Sequence, residues 1–276
     1  MITKKNLLNI IKHKFLPKYK NLADKNFYVT FLKNRINIDK LHLANRNLIR
    51  FCMNSFNYKK VSENDIEIYY EKEEMDVFEN LIINSEFFID IGAQVGIYSL
   101  AAYNSKKIKK IVCVEIIKEY ENAIINNIKL NNYLKKKFQI LNIGLGSGKI
   151  SHTEWIAKTS TRGVSFEKIL QLSKINLNEN DCVKIDIEGW EFSLANGLGD
   201  FFLKYKPKLL LSFHEQEIKS LSKGNVTDEK LFNFLSSIYR YRYMSFKNEL
   251  KEIQSYLGQN LNSKPYKTII FSNVRI

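Results

Sequence analysis

The sequence predicts an α/β fold built around one mostly parallel sheet. From about residue 75 onward, strand-like and helix-like segments alternate, the order that lays helices over a sheet. The first strand-like runs, Phe87–Ile91 and Lys110–Glu115, are largely apolar, as strands covered on both faces are. The chain has 276 residues, 45% hydrophobic and 13% aromatic, with only eleven glycines and three prolines. That is enough for one large core with an appendage, and it argues against small domains strung on linkers.

The elements follow in order. Phe87–Ile91 is an apolar run with an acid near its end and a glycine directly after it, read as a buried strand. Ile97 to Lys106 reads as a helix, Lys110–Glu115 as a second strand, and Lys118 to Asn132 as a longer helix. Phe138–Ile143 is a third strand, closed by the glycines at 144, 146 and 148. Cys182–Asp186 and Lys208–Phe213 are the fourth and fifth, with a helix over Glu191–Lys204 between them. Thr227 is a suitable N-cap for a helix to about Ser237, and Tyr241–Phe246 and Thr268–Ser272 close the sheet. Residues 76–276 form this main domain. Residues 1–75 read as a basic, mostly helical extension over the open end of the sheet, with a short hairpin or strand at Asp65–Tyr70.

The net charge of +14 is unevenly placed. Residues 1–60 hold fourteen Lys/Arg against two Asp, and the other 216 hold twenty-nine against twenty-seven Asp/Glu. A solvated basic face accounts for the excess; contact with anionic lipid or an acidic polymer through residues 1–60 is the functional alternative. Cys52, Cys113 and Cys182 form no CxxC pair, so neither a disulfide framework nor a zinc site follows. No run reaches the length of a membrane span, and the apolar core of Met1–Lys20 is too short and interrupted for a secretory signal. The expected location is the cytoplasm, with the inner face of the membrane as its alternative. A homo-oligomer is left open.

Three strings carry chemistry. Asp90-Ile-Gly92-Ala-Gln94-Val-Gly96 puts a tight glycine turn at a strand's carboxyl end, where open α/β sheets bind cofactors. It differs from the dinucleotide fingerprint GxGxxG by an acid in place of the first glycine, which disfavours a pyrophosphate. Glu115 ends the next strand, nineteen residues after Gly96, about where an acid receives ribose hydroxyls. Together they suit a cationic nucleoside without phosphate at the turn, and S-adenosylmethionine is such a ligand. Lys184-Ile-Asp186-Ile-Glu188-Gly-Trp-Glu191 then sets charged residues at alternate positions off a strand end, expensive to bury unless paired. His214 ends the fifth strand beside Asp186 and is a general-base candidate; a structural salt-bridge cluster is the plainer reading of the same residues.

The order and wording of Phe88-Ile-Asp-Ile-Gly-Ala-Gln-Val-Gly-Ile-Tyr-Ser, Val114-Glu115 with the Asn126-Asn127 and Asn131-Asn132 pairs behind it, Val183-Lys-Ile-Asp-Ile-Glu-Gly, and Lys206-Pro-Lys-Leu-Leu-Leu-Ser-Phe-His resembles the FkbM-type methyltransferases. The resemblance covers roughly residues 75–215. It implies a seven-stranded Rossmann-like, class I methyltransferase sheet and methyl transfer to a hydroxyl, often on a sugar, here of a sugar nucleotide or surface-polysaccharide precursor. By position, Asp90, Gly92, Gln94 and Gly96 would line the methionine part of S-adenosylmethionine. Glu115 would hold the ribose, Ile116 would pack near the adenine, and Asn142 is a further cofactor-binding candidate. Lys184, Asp186, Glu188 and His214 would surround the acceptor. The family usually has Asn where this chain has Gln94, and Asp where Glu167 stands.

Two further readings stay open on the residues. Asp186 with His214 or Glu215 would suit a divalent cation, Mg or Mn, which the sequence does not require. Nucleic-acid methylation is prompted by the basic N-terminus, but the Asn/Asp-Pro-Pro-aromatic string of base methylation is missing, so no nucleic-acid partner is expected. A non-catalytic scaffold on the same frame would bind no S-adenosylmethionine.

Overall fold

The computed structural model describes residues 26–31, 33–39, 58–60, 62, 65–68, 71–146, 149–153, 158–196, 199–246, 249–256 and 267–276. In chain order they form β1 (Asn26–Phe31), β2 (Asn34–Ile38), β3 (Tyr58–Lys60), β4 (Asp65–Ile68), α1 (Lys72–Ile82), β5 (Phe87–Ile91), α2 (Ile97–Tyr103), β6 (Lys110–Val114) and α3 (Lys118–Leu130). Then come β7 (Phe138–Leu141), β8 (Lys149–Thr153), β9 (Lys158–Arg162), α4 (Phe166–Ser173), β10 (Cys182–Ile185), α5 (Asp200–Tyr205) and β11 (Lys208–Phe213). The last elements are α6 (Glu215–Leu221), α7 (Asp228–Ile238), β12 (Tyr241–Phe246), β13 (Glu249–Glu252) and β14 (Lys267–Ser272). Two 3-10 turns, Lys135–Lys137 and Trp190–Asn196, complete the set.

Eight strands make the main sheet, in the order β13-β12-β14-β11-β10-β5-β6-β7. β7, β6, β5, β10 and β11 are parallel; β14 runs antiparallel between β11 and β12. The Rossmann-like sheet expected from the sequence is therefore present, with one strand more than seven because β13 folds back on β12. The chain leaves β5 outward through β6 and β7, then returns to β10 on the other side of β5. The order reverses between β5 and β10, and the crevice beyond their carboxyl ends is where such sheets take ligands.

Alternation along the strands divides the core into two faces. Phe88, Ile111, Cys113, Cys182 and Leu210 pack with α1, α2 and α3. Ile89, Ile91, Val112, Val183, Ile185 and Leu211 pack with α4 to α7. Caps fix two of these helices: Ser165 accepts the Lys168 N–H ahead of α4, and Thr227 accepts the Lys230 N–H ahead of α7.

The extension departs from expectation. Its described elements before α1 are strands, a sheet of order β2-β1-β4-β3, and the helices expected near the N-terminus lie outside the described residues. Val29, Phe31, Ile36 and Ile38 of this sheet share the core on the α1–α3 face, so it buries apolar surface that its strands alone could not cover. The boundary drawn at 75/76 falls inside α1. The single helix expected over Glu191–Lys204 is a 3-10 turn and the short α5; Gly197 and Gly199 lie between them, poor interior helix residues. α4, α6 and the β8–β9 hairpin were not expected. Among the described residues no helix is long and apolar enough to cross a membrane.

Candidate functional site

Gly92 opens the turn after β5 with φ +79, and a Cβ there would lie 1.8 Å from the Asp186 carbonyl oxygen. The cofactor-type turn and the end of β10 touch through bare backbone. Gly96 closes the turn at φ +83 as the N-cap of α2. Gln94 sits between them at φ 50, left-handed backbone that asparagine adopts more readily than glutamine.

Glu115 follows β6 and is buried. Its Oε2 accepts the Gln94 N–H at 2.8 Å and its Oε1 accepts the Ile117 N–H at 2.8 Å. One carboxylate thus clamps both loops that rim the crevice. Asn142, beyond β7, donates its amide to the carbonyls of Glu115 and Ile116 at 2.8 and 3.0 Å, which makes it a brace behind Glu115.

Asp90 lies elsewhere than the turn motif suggests. It is 1% exposed, on the α1–α3 face, and its Oδ2 accepts the Ser99 hydroxyl at 2.7 Å. Its Oδ1 is buried with no hydrogen-bond partner among the described residues. Burial pushes its pKa up, partly offset by the Lys184 charge and the Ser99 bond. Asp90 stands one residue short of the strand end, so its side chain turns under the turn and not into the crevice.

Lys184 pairs in register with Asp90 across β10 and β5 and is buried beside it. Its ammonium donates to Asp186 Oδ2 at 2.9 Å and lies 4.7 Å from the Tyr98 ring centre. Tyr98 in turn donates to Glu71 at 2.8 Å, ahead of α1. Burial works against the ammonium, but Asp186, Asp90 and Glu71 outweigh it and raise its pKa.

The acid–imidazole cluster sits at the ends of β10 and β11. His214 Nδ1 donates to Glu191 Oε1 at 3.0 Å, and its Nε2 lies 3.5 Å from Asp186 Oδ1. Glu191 is fully buried and also accepts the backbone N–H groups of Ile187 (2.9 Å) and Gly189 (2.6 Å). Burial opposes the imidazolium, yet Glu191 and Asp186 raise the His214 pKa to about 9. Burial likewise pushes Asp186 up, but Lys184 and His214 outweigh it and hold its carboxyl below the ordinary value.

Glu188 does not join this cluster. The strand stops at Ile185, the backbone turns left-handed at Glu188 (φ 49), and its side chain is exposed, acting on His214 through space. Glu191 takes the place expected for Glu188, and the donor atoms that come together are those of Asp186, Glu191 and His214, without Glu215. Glu191, Tyr98, Ser99 and Glu71 were not singled out from the sequence as site residues. For Glu191 a signal existed: it lies in the same charged string, one turn further on.

Asp186, Glu191 and His214 each offer one donor atom within 4.8 Å of the others, a set that suits a divalent cation by type. Each donor is already engaged. Lys184 neutralises Asp186, two backbone N–H groups hold Glu191, and His214 bonds Glu191 through Nδ1 while Nε2 faces Asp186.

No family model matches this sequence, and no curated protein does. Solved structures do. A methyltransferase FkbM from Methylobacillus flagellatus is 19% identical over 68% of this chain and 44% of that one, with TM-score 0.45. A putative O-methyltransferase from Klebsiella pneumoniae is 7% identical over 74% of this chain and 80% of that one, with TM-score 0.43. An O-methyltransferase from Bacillus cereus, in complex with SAH, is 10% identical over 81% and 86%, with TM-score 0.42. Likeness at this level says nothing of substrate or reaction.

Proposed function

We propose that the chain is an S-adenosylmethionine-dependent O-methyltransferase acting on a hydroxyl of a sugar, as a sugar nucleotide or glycan precursor. One observation carries the reading: two chemically different half-sites meet where Gly92 touches Asp186. On one side are a glycine turn and the clamped Glu115; on the other is the buried chain Glu191–His214–Asp186. The sugar comes from the likeness of the sequence motifs to their family.

The residues of the first half-site fit the cofactor. Residues 87–105 contain no Lys or Arg to meet a phosphate. Backbone N–H groups of both rim loops hold the Glu115 carboxylate, which fixes it where a ribose hydroxyl would meet it. Gly92 and Gln94 are partly open to the crevice, Ile116 supplies an apolar edge, and Asn142 keeps that edge in place. Asp90 serves from beneath, tying β5 to α2 through Ser99. When bound, S-adenosylmethionine supplies a methyl group on a sulfonium leaving group.

The second half-site supplies the base. Attack by a neutral sugar hydroxyl requires its proton to leave, and orientation contributes most of the remaining acceleration. Glu191 holds Nδ1 protonated, so Nε2 takes the proton in the neutral form of the ring. With the His214 pKa raised to about 9 that form grows as pH rises, and turnover should climb up to about pH 9. Asp186 lies beside Nε2 and, with Glu191, stabilises the imidazolium that results. This chemistry needs no metal, and we assign the cluster to proton handling.

Calorimetric titration with S-adenosylmethionine, S-adenosylhomocysteine, ATP and NAD tests the first half-site, with binding expected for the first two alone. Glu115→Ala should weaken that binding by about 10-fold or more. Methyl transfer from labelled cofactor to a panel of sugars and sugar nucleotides tests the second. His214→Ala should leave cofactor affinity unchanged and lower turnover by about 100-fold or more. No affinity in the unaltered chain would sink the reading in favour of a scaffold. Turnover abolished by a chelator would reassign Asp186, Glu191 and His214 to a metal.

A further inference from the structure

The end of the sheet away from the site has a chemistry of its own. The loops leading into β5, β6, β7, β10, β11 and β12, with the chain after β14, hold ten Lys/Arg against three Asp/Glu. The rest of residues 61–276 hold nineteen against twenty-four. Of the three acids, Asp181 is buried, accepting N–H groups from Glu86, Phe87 and Asn178, and Glu86 pairs with Lys109 at 2.6 Å. Little negative charge faces outward there.

The same end carries apolar side chains in the open. Ile83 is 58% exposed, Leu134 and Leu203 52%, Leu130 48% and Leu172 40%. All five lie on or just past the last turns of α1, α3, α4 and α5, which run down to this end. The loops are knitted together: Lys107 donates to Asn84 at 2.7 Å, Lys137 to the Ile108 carbonyl at 3.0 Å, and Lys110 to the Ser173 carbonyl. Tyr103 stacks on Tyr133 at 4.0 Å between them. Lysines at helix carboxyl ends also offset the helix dipoles. That accounts for the charge but not for the leucines beside it.

We propose that this basic, leucine-studded end docks on an anionic lipid bilayer. Lysine ammonium groups would meet the headgroups while Ile83, Leu130, Leu134, Leu172 and Leu203 enter the interfacial layer. Charge complementarity selects an anionic partner, and the aliphatic tips select a bilayer over a nucleic acid, whose phosphates would leave them in water. Residues 1–60, with their own excess of twelve positive charges, add attraction of the same sign. The proposal is independent of the reaction assigned to the crevice.

Flotation of the full chain with vesicles tests it, using phosphatidylcholine alone and a roughly two-to-one mixture with phosphatidylglycerol. Binding is expected to the mixture only, and to weaken at high salt. Leu134→Ser with Lys135→Glu and Lys136→Glu should lower the partition coefficient by about 30-fold or more without shifting thermal unfolding. Leu203→Ser with Lys204→Glu, on a separate loop, should lower it as well. Equal binding to neutral vesicles, or binding that survives both variants, overturns the proposal. So does capture of a single-stranded RNA probe, sensitive to the same variants, with no binding to vesicles.

Discussion

At Gly92 the turn after β5 passes so close to the end of β10 that a methyl group would overlap the Asp186 carbonyl. At Gly96 the first atom that an added methyl would meet belongs to the flexible Ile124 side chain, at 3.1 Å, although φ is similarly positive. The two alanine variants should therefore separate. Gly96→Ala is expected to cost about 1–2 kcal/mol, the left-handed backbone alone. Gly92→Ala should cost about 3 kcal/mol or more, because one of two backbones must move. Urea melts of both compare them, and equal losses would refute the close approach. His214 offers a second test. Its pKa is raised to about 9, so its contribution to stability is complete below its ordinary value of 6.5 and is lost as pH rises through 9. The loss is about 3 kcal/mol at its upper limit. His214→Gln should flatten that part of the stability curve, and an unchanged slope would show that the imidazolium is not held by Glu191 and Asp186.

Between elements, α3 fastens the N-terminal sheet to the main domain through two asparagines. Asn131 exchanges two hydrogen bonds with the backbone of Asn37, each 2.7 Å, while buried Asn127 accepts the Asp39 N–H at 2.8 Å and donates to the Val95 carbonyl at 2.9 Å. Asn127→Ala strands a donor and an acceptor and should cost about 2–4 kcal/mol. In hydrogen exchange it should deprotect Asp39 before the neighbouring β2, and uniform deprotection would contradict the clasp. The asparagine pairs stood out in the sequence, but their partners lie 88 to 94 residues away, so their task did not. Elements with continuous apolar runs, such as Phe87–Ile91 and Lys208–Phe213, were legible because burial on both faces leaves a local signature. The hairpin Lys149–Thr153 with Lys158–Arg162 is mostly polar and short, and left none. Glu188 departs from expectation for a related reason: strand alternation ends at Ile185, and the backbone turns away before Glu188.

For the molecule as a whole, the positions of the acids and His214 at strand ends could be read from the sequence, whereas the facing of their side chains could not. Which face Asp90 takes depends on the residue at which β5 stops. Charge behaves the same way. Residues 61–276 differ from neutrality by only two charges, and their separation along the strand axis emerges only when topology gathers seven distant segments at one end. The contact between Gly92 and Asp186 has a consequence at this scale. If the two halves hold cofactor and acceptor as proposed, they share a partition one backbone thick. A ligand in either half would then alter affinity at its neighbour by a factor that is the same in both directions, and the order in which two ligands arrive would become a property of that single wall.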